Sequence, residues 1–175
     1  MSVKVVDRNE SKVQYVTTAV ELQKKTIFVL TRMSNKMQGF FKKDLMWLAS
    51  SITNGCAKAQ SIYPSTKERA LIREQYLLEA KSSVDALDIQ LGLCFDFIKD
   101  YPEYAFSTRD DEPIEASKAR EKLNKLMKST GDLINQEKLL LDGIIKDNER
   151  RKEFQEHSSK TMPLFSQHGR FLHGN

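Results

Sequence analysis

Between Leu77 and Ile98 the apolar residues Leu77, Ala80, Val84, Leu87, Leu91, Cys94 and Ile98 recur in alternating steps of three and four. Such a rhythm puts every one of them on a single stripe of an α-helix. Helices use this spacing when they pack at a shallow crossing angle. The stripe must be covered, so a chain carrying it folds as helices packed side by side.

Three further stretches read the same way. The first runs from about Ser11 to Asn35, with Val13, Val16, Val20, Ile27 and Leu30 as its stripe and Ser11 as a suitable N-cap. Met37-Gln38-Gly39 is the expected break, because glycine tolerates the positive φ that often ends a helix. The second helix is expected from Phe41 to Ile62, on Leu45, Leu48, Ile52, Cys56 and Ala59. Gly55 lies within it. It either weakens the helix by about 1 kcal/mol relative to alanine or lets another helix approach closely. The third follows Pro64 and ends near Lys99. The fourth runs from about Ile114 to Arg151 on Ala116, Ala119, Leu123, Leu126, Thr130, Leu133, Glu137, Leu140 and Ile144. Glu137 puts a carboxylate on that stripe. Either the stripe turns toward solvent there, or a cation from another helix or subunit meets it.

The links set the topology. The first two are short, while the third, Asp100 to Pro113, contains two prolines and five acidic residues and reads as a polar loop longer than usual. The expected fold is all-α: an up-down-up-down four-helix bundle over residues 8–152, with a flexible tail over 153–175. All three histidines, His157, His168 and His173, fall in that tail, at spacings unlike a metal site. Cys56 and Cys94 lie in apolar stripes and are expected as buried thiols. No apolar run is long enough for a membrane span, and the first residues lack the apolar core of a signal peptide. A cytoplasmic protein without membrane attachment is the expectation.

One junction carries more than a bundle hairpin requires: Ser61-Ile62-Tyr63-Pro64-Ser65, leading into Ile72-Arg73-Glu74-Gln75-Tyr76. Pro64 cannot continue the second helix. Ser65 and Glu68 have the spacing of a capping box, in which each side chain bonds the other's backbone N–H. Arg69 and Arg73 are four apart and share a helix face, and Tyr63 and Tyr76 flank them. An arginine fork beside tyrosines can hold a phosphate and stack on a base, or hold a carboxylate of a neighbouring helix.

Charge is unevenly spread. Residues 1–81 carry 14 basic against 7 acidic side chains, residues 82–121 carry 4 against 10, and residues 122–175 carry 10 against 7. A basic part attracts nucleic acid through phosphate neutralisation, and a charged helix face can equally serve solubility alone. Lys36, Lys42, Lys43, Lys58, Lys67, Arg69, Arg73 and Lys81 are the candidate contacts. The motifs of catalysis are missing: the chain has no Gly-rich phosphate loop, Glu-x-x-His pair, His-Glu-x-x-His or nucleophile elbow. Paired acids such as Asp85 and Asp88 read as a solvated face. No enzymatic activity and no cofactor are expected.

The segment from Asn54 to Ser65, followed by Glu68, Ile72-Arg73, Tyr76 and Ala80, resembles the four-helix-bundle accessory proteins of diversity-generating retroelements, the accessory variability determinant (Avd) family. Arg8-Asn9-Glu10-Ser11-Lys12-Val13-Gln14-Tyr15 is similar to the start of such proteins. The pattern covers residues 8–150 and is sharpest over 54–80. The resemblance implies a basic, non-catalytic bundle that assembles as a homopentamer. It would bind the retroelement's reverse transcriptase and RNA or DNA, and support mutagenic copying of a template RNA into cDNA. It makes Lys58, Arg69 and Arg73 contacts to nucleic acid or polymerase, and it leaves Tyr63 and Pro64 to fix the hairpin. The acidic loop 100–113 and the histidine-containing tail look like additions to that pattern. A second resemblance, to bundles encoded within ribosomal RNA intervening sequences, implies a structural or partner-binding bundle with no nucleic-acid role.

Overall fold

The computed structural model describes residues 3–100, Pro102, Phe106 and 115–160, with side chains from Val13 to His157. These residues form four helices: α1, Val3–Thr31; α2, Asn35–Ser61; α3, Lys67–Asp100; and α4, Ala116–Lys160. Each packs on two neighbours, in the cyclic order α1, α2, α3, α4.

Side-chain contacts fix the directions. Tyr15 donates to Gln60 at 2.9 Å, Thr53 to the Ala19 carbonyl at 3.3 Å, and Gln23 to Ser50 at 3.2 Å. Numbers rise along α1 as they fall along α2, so the pair is antiparallel. Gly55 of α2 lies against Tyr76 and Ala80 of α3, and the Phe41 and Phe97 rings meet edge-on at 6.4 Å further up the same seam. Asn148 of α4 donates to the Ala70 carbonyl of α3 at 2.9 Å, and Lys138 reaches Asp88 at 2.8 Å. Consecutive helices therefore alternate in direction.

The stripe from Leu77 to Ile98 is buried throughout, as is the α2 stripe Leu45, Leu48, Ile52, Cys56 and Ala59. On α1 the expected face is corrected. Leu30 is buried and Val16 packs against the core as expected, but Val13 is 48% exposed and Ile27 40%, while Tyr15, Ala19, Leu22, Thr26, Val29 and Met33 are buried. Those six keep the three-four rhythm without a break, but two of them carry hydroxyls, so a search for aliphatic residues alone lands one position away. The Thr26 hydroxyl is satisfied by the Leu22 carbonyl at 2.9 Å. On α4, Ala119, Leu123, Leu126 and Thr130 are buried as expected, and beyond them Ile134 and Leu141 are buried while Leu133 and Leu140 are only half-buried. Cys56 and Cys94 are free, buried thiols.

The links also depart from expectation. The first break falls at Arg32–Ser34, not at Gly39. Arg32 and Met33 donate to the Val29 and Leu30 carbonyls, tightening the end of α1, and Ser34 takes an extended backbone that opens α2. Met33 and Met37 are buried on either side and hold the turn there. Gly39 lies inside α2 with open space around it. At the second link the cap is Thr66, whose hydroxyl accepts the Arg69 N–H at 3.3 Å. The expected Ser65–Glu68 box does not form, because burial of Ala70 and Leu77 sets the phase of α3 one residue on. Ser65 instead donates its N–H to the Tyr63 carbonyl at 2.8 Å. In the third link Pro102 and Phe106 are both buried, and Phe106 joins the core, so this stretch is not wholly a polar loop. The remainder of that loop lies outside the described residues.

The fourth helix runs nine residues past Arg151 to Lys160. Gln155 donates to the Pro64 carbonyl at 2.9 Å, and Glu156 pairs with Lys67. Residues 153–160 thus belong to α4 and not to a tail. Residues 161–175, with His168 and His173, lie outside the described residues.

Gly55 decides how closely α2 approaches α3. A Cβ there would lie 3.0 Å from the Ala80 Cβ and 3.1 Å from the Tyr76 carbonyl oxygen, so the close-approach reading of this glycine holds. Gly92 and Gly143 have nothing within 4 Å of an added Cβ. Gly55→Ala should lower stability by about 1–2 kcal/mol through overpacking, whereas Gly92→Ala and Gly143→Ala should each raise it by about 0.5–1 kcal/mol. Urea unfolding of the three variants checks both signs.

Candidate nucleic-acid interface

The eight candidate cations divide by what α4 does to them. Lys67 pairs with Glu156 and Lys81 with Asp142, each reaching from α3 to α4. Those carboxylates hold both lysines above the usual ammonium range. Asp85 and Asp88, expected on a solvated face, grip Lys138 of α4 at 3.0 and 2.8 Å. Glu74 pairs with Lys152. The α3–α4 seam is therefore a ladder of ion pairs, and Lys67 and Lys81 are rungs of it.

Arg73 turns inward. Its guanidinium charge acts on the Tyr15 hydroxyl, and its Nε is buried without a hydrogen-bond partner among the described residues. Tyr15, raised above the usual phenol range chiefly by burial and held back by Arg73, passes its own proton toward Gln60. Arg69, one turn earlier, is exposed and unpaired among the described residues. The arginine fork read from the sequence is thus divided between interior and surface. Tyr76 is half-buried, with the Lys58 ammonium 5.2 Å from its ring centre. Tyr63 is 72% exposed, and Pro64 is buried beneath Gln155. The Glu68 carboxylate is held low by its own backbone N–H and the Thr66 hydroxyl.

Lys36, Lys42 and Lys43 remain. All three are exposed at the start of α2 with no carboxylate partner among the described residues. With Lys58 and one acid, Asp44, they make α2 strongly basic. Lys36 and Lys58 are 22 residues apart on one helix, which is roughly 33 Å. Lys42 and Lys43 line a groove with Asn35, Gln38, Gly39 and Met46.

Two aromatic residues stand among these lysines and were not among the sequence candidates. Phe40 and Trp47 are each 67% exposed. At about 100° per residue, Lys36, Phe40, Lys43, Trp47, Asn54 and Lys58 fall within about 60° of arc. The spacing was there to be read: exposed aromatics three or four residues from lysines, off the apolar stripe. Phe28 of α1, by contrast, is covered by Lys25 of its own helix and by Arg32 just past its end, at 5.5 and 4.8 Å from the ring centre. Phe40 and Trp47 carry no cation or ring partner among the described residues.

Inside the bundle, Glu137 is fully buried, and the expected cation is not its partner. The Cys56 thiol lies 3.5 Å from Oε1 as donor, while Oε2 has no hydrogen-bond partner among the described residues. Burial pushes its carboxyl up to about 7, against which the Cys56 hydrogen bond acts only weakly. Burial, with Glu137 adding to it, also pushes the Cys56 thiol well up.

Among the described residues no helix is long and apolar enough to cross a membrane. No protein-family model, curated protein or solved structure matches the chain.

Glu137 gives the bundle a pH dependence of defined sign. Between 4.5, its usual value, and about 7, the folded protein keeps a proton that the unfolded chain releases. Stability should be highest below that window and fall as pH rises through it, by about 3 kcal/mol in all, and then level off. Glu137→Gln should flatten this fall and be more stable than the parent by about 1–3 kcal/mol above the window. Denaturant midpoints on either side of the window measure it.

Proposed function

We propose that the protein is a non-enzymatic, basic four-helix accessory subunit that binds RNA or DNA beside a reverse transcriptase of the diversity-generating type. It would hold template or cDNA while the polymerase performs the chemistry. The observation that carries this reading is the exposed lysine set Lys36, Lys42 and Lys43, without carboxylate partners among the described residues, while Lys67 and Lys81 are paired with α4. Lysines without a carboxylate partner near one helix end are free to neutralise phosphates. The resemblance over residues 54–80 supports the polymerase as partner.

Assembly into a ring, a pentamer by resemblance, is part of the same proposal. It is supported by the outer face of α3, where Leu71, Leu78, Ile89 and Leu93 are all about half exposed or more and fall within about 60° of arc. An aliphatic stripe of that kind marks a protein contact. The same stripe favours the second reading, a partner-binding bundle with no nucleic-acid role.

Labelled RNA and DNA oligonucleotides, titrated at two salt concentrations, test the proposal. Binding should weaken steeply with salt, and replacing Lys36, Lys42 and Lys43 by Gln together should flatten the salt slope by about 2. Lys67→Gln and Lys81→Gln should leave that slope unchanged and cost little stability, because both ion pairs are exposed to solvent. Absence of salt-sensitive binding would favour the second reading. Light scattering of Leu78→Glu with Ile89→Glu should show a smaller particle than the parent, and an unchanged mass would remove the α3 stripe from the assembly.

A further inference from the structure

We infer that the outer face of α2 is a stacking platform for single-stranded nucleic acid, with Phe40 and Trp47 receiving unpaired bases between the phosphate contacts of Lys36 and Lys43. This rests on the nucleic-acid reading above and narrows its ligand to strands whose bases are free. Phe40 lies four residues from Lys36 and three from Lys43, and Trp47 lies four from Lys43, so cation and ring alternate along one line. Both rings are two-thirds exposed, and neither has a cation or aromatic partner among the described residues. The three nearby lysines have no carboxylate partner there either.

The groove beside Trp47 joins two surfaces of different character. Its α3 wall carries Leu71 and Leu78 with Glu74 and Glu79, while its α2 wall carries Trp47 and Lys58. The two carboxylates are already engaged, Glu74 by Lys152 and Glu79 by Gln75 at 3.1 Å. Aliphatic contact belongs to the α3 side, and aromatic rings flanked by cations belong to α2. Every base offers a ring face, so stacking accepts any sequence, but a paired duplex buries those faces. A duplex could meet the lysines only through its phosphates.

Trp47 is the chain's one tryptophan, so the proposed contact reports on itself. The full chain is titrated with oligo-dT and with a duplex of equal length, followed by tryptophan fluorescence and by anisotropy of the labelled nucleic acid. Oligo-dT should quench Trp47 and bind at least tenfold more tightly than the duplex. Phe40→Ala and Trp47→Ala should each weaken oligo-dT binding about tenfold with duplex binding unchanged, and Trp47→Phe should retain most of it. Both rings are exposed, and circular dichroism checks that each variant is folded. Equal binding of the two nucleic acids without quenching overturns the platform and leaves the nucleic-acid reading standing. No binding of either overturns both. Loss of oligomer mass in Phe40→Ala or Trp47→Ala, with oligo-dT affinity unchanged, would assign the rings to a protein interface and overturn the platform.

Discussion

The contact of Gly55 with Tyr76 and Ala80 sets the frame for everything outside it. With no side chain at Gly55, α2 and α3 approach until a Cβ has no room. That closeness brings Lys58 over the Tyr76 ring and stacks Cys56 and Ala59 against the core. It also fixes the rotation of α2. Because Gly55, Cys56 and Ala59 must face inward, Lys36, Phe40, Lys43 and Trp47 must face outward. One residue without a side chain thus helps determine which side chains meet solvent roughly 12 to 28 Å along the helix.

The interior carries a second constraint of a different kind. Tyr15 of α1, Cys56 of α2, Arg73 of α3 and Glu137 of α4 bring one polar side chain from each helix into neighbouring positions. A layer built this way disfavours slippage of any helix by a turn, since the slipped state would bury each group against hydrocarbon. Its cost is visible in Glu137 Oε2 and Arg73 Nε, which have no hydrogen-bond partner among the described residues, and in the raised affinity of Glu137 for its proton. Burial keeps a proton on that carboxyl well above the pH at which an exposed glutamate loses it. The layer tightens registry and makes the fold sensitive to pH at once.

Much of the fold was legible because its main signal is periodic. The α3 seam has no false member, and α2 is nearly as clean. On α1 the reading slipped by one position, because tyrosine and threonine fill inward places that an aliphatic count passes over. At the two short turns, a buried methionine pair and the phase of Ala70 outweighed local glycine and capping signals. Tertiary burial chose among turns that were each locally acceptable. The length of α4 was hidden because its last turns are polar. They are held by Gln155 and Glu156 reaching residues about ninety positions earlier, a distance over which no local pattern speaks. The candidate site shows the same limit. Charge could be counted in the sequence, but whether a lysine already had a partner depended on α4 lying alongside α3.

That dependence explains how the basic residues came to be divided. An antiparallel neighbour with acids at Asp142 and Glu156 necessarily meets the α3 cations, and each pair formed removes one cation from the field seen by a ligand. Among the described residues α2 escapes this neutralisation. Its neighbours are α1 and α3, and the lysines at its start meet no carboxylate of either. The basic half of the sequence therefore becomes two materials in the fold. On α3 it is a fastening for α4, and on α2 it is open charge. The two aromatic residues fall on the second, where a ring has lysines beside it and remains two-thirds exposed. Bundle stability does not call for a ring in that position, since Phe40 and Trp47 remain largely in water when the chain is folded. Their exposure is an unfavourable use of apolar surface unless something flat and negatively charged covers it.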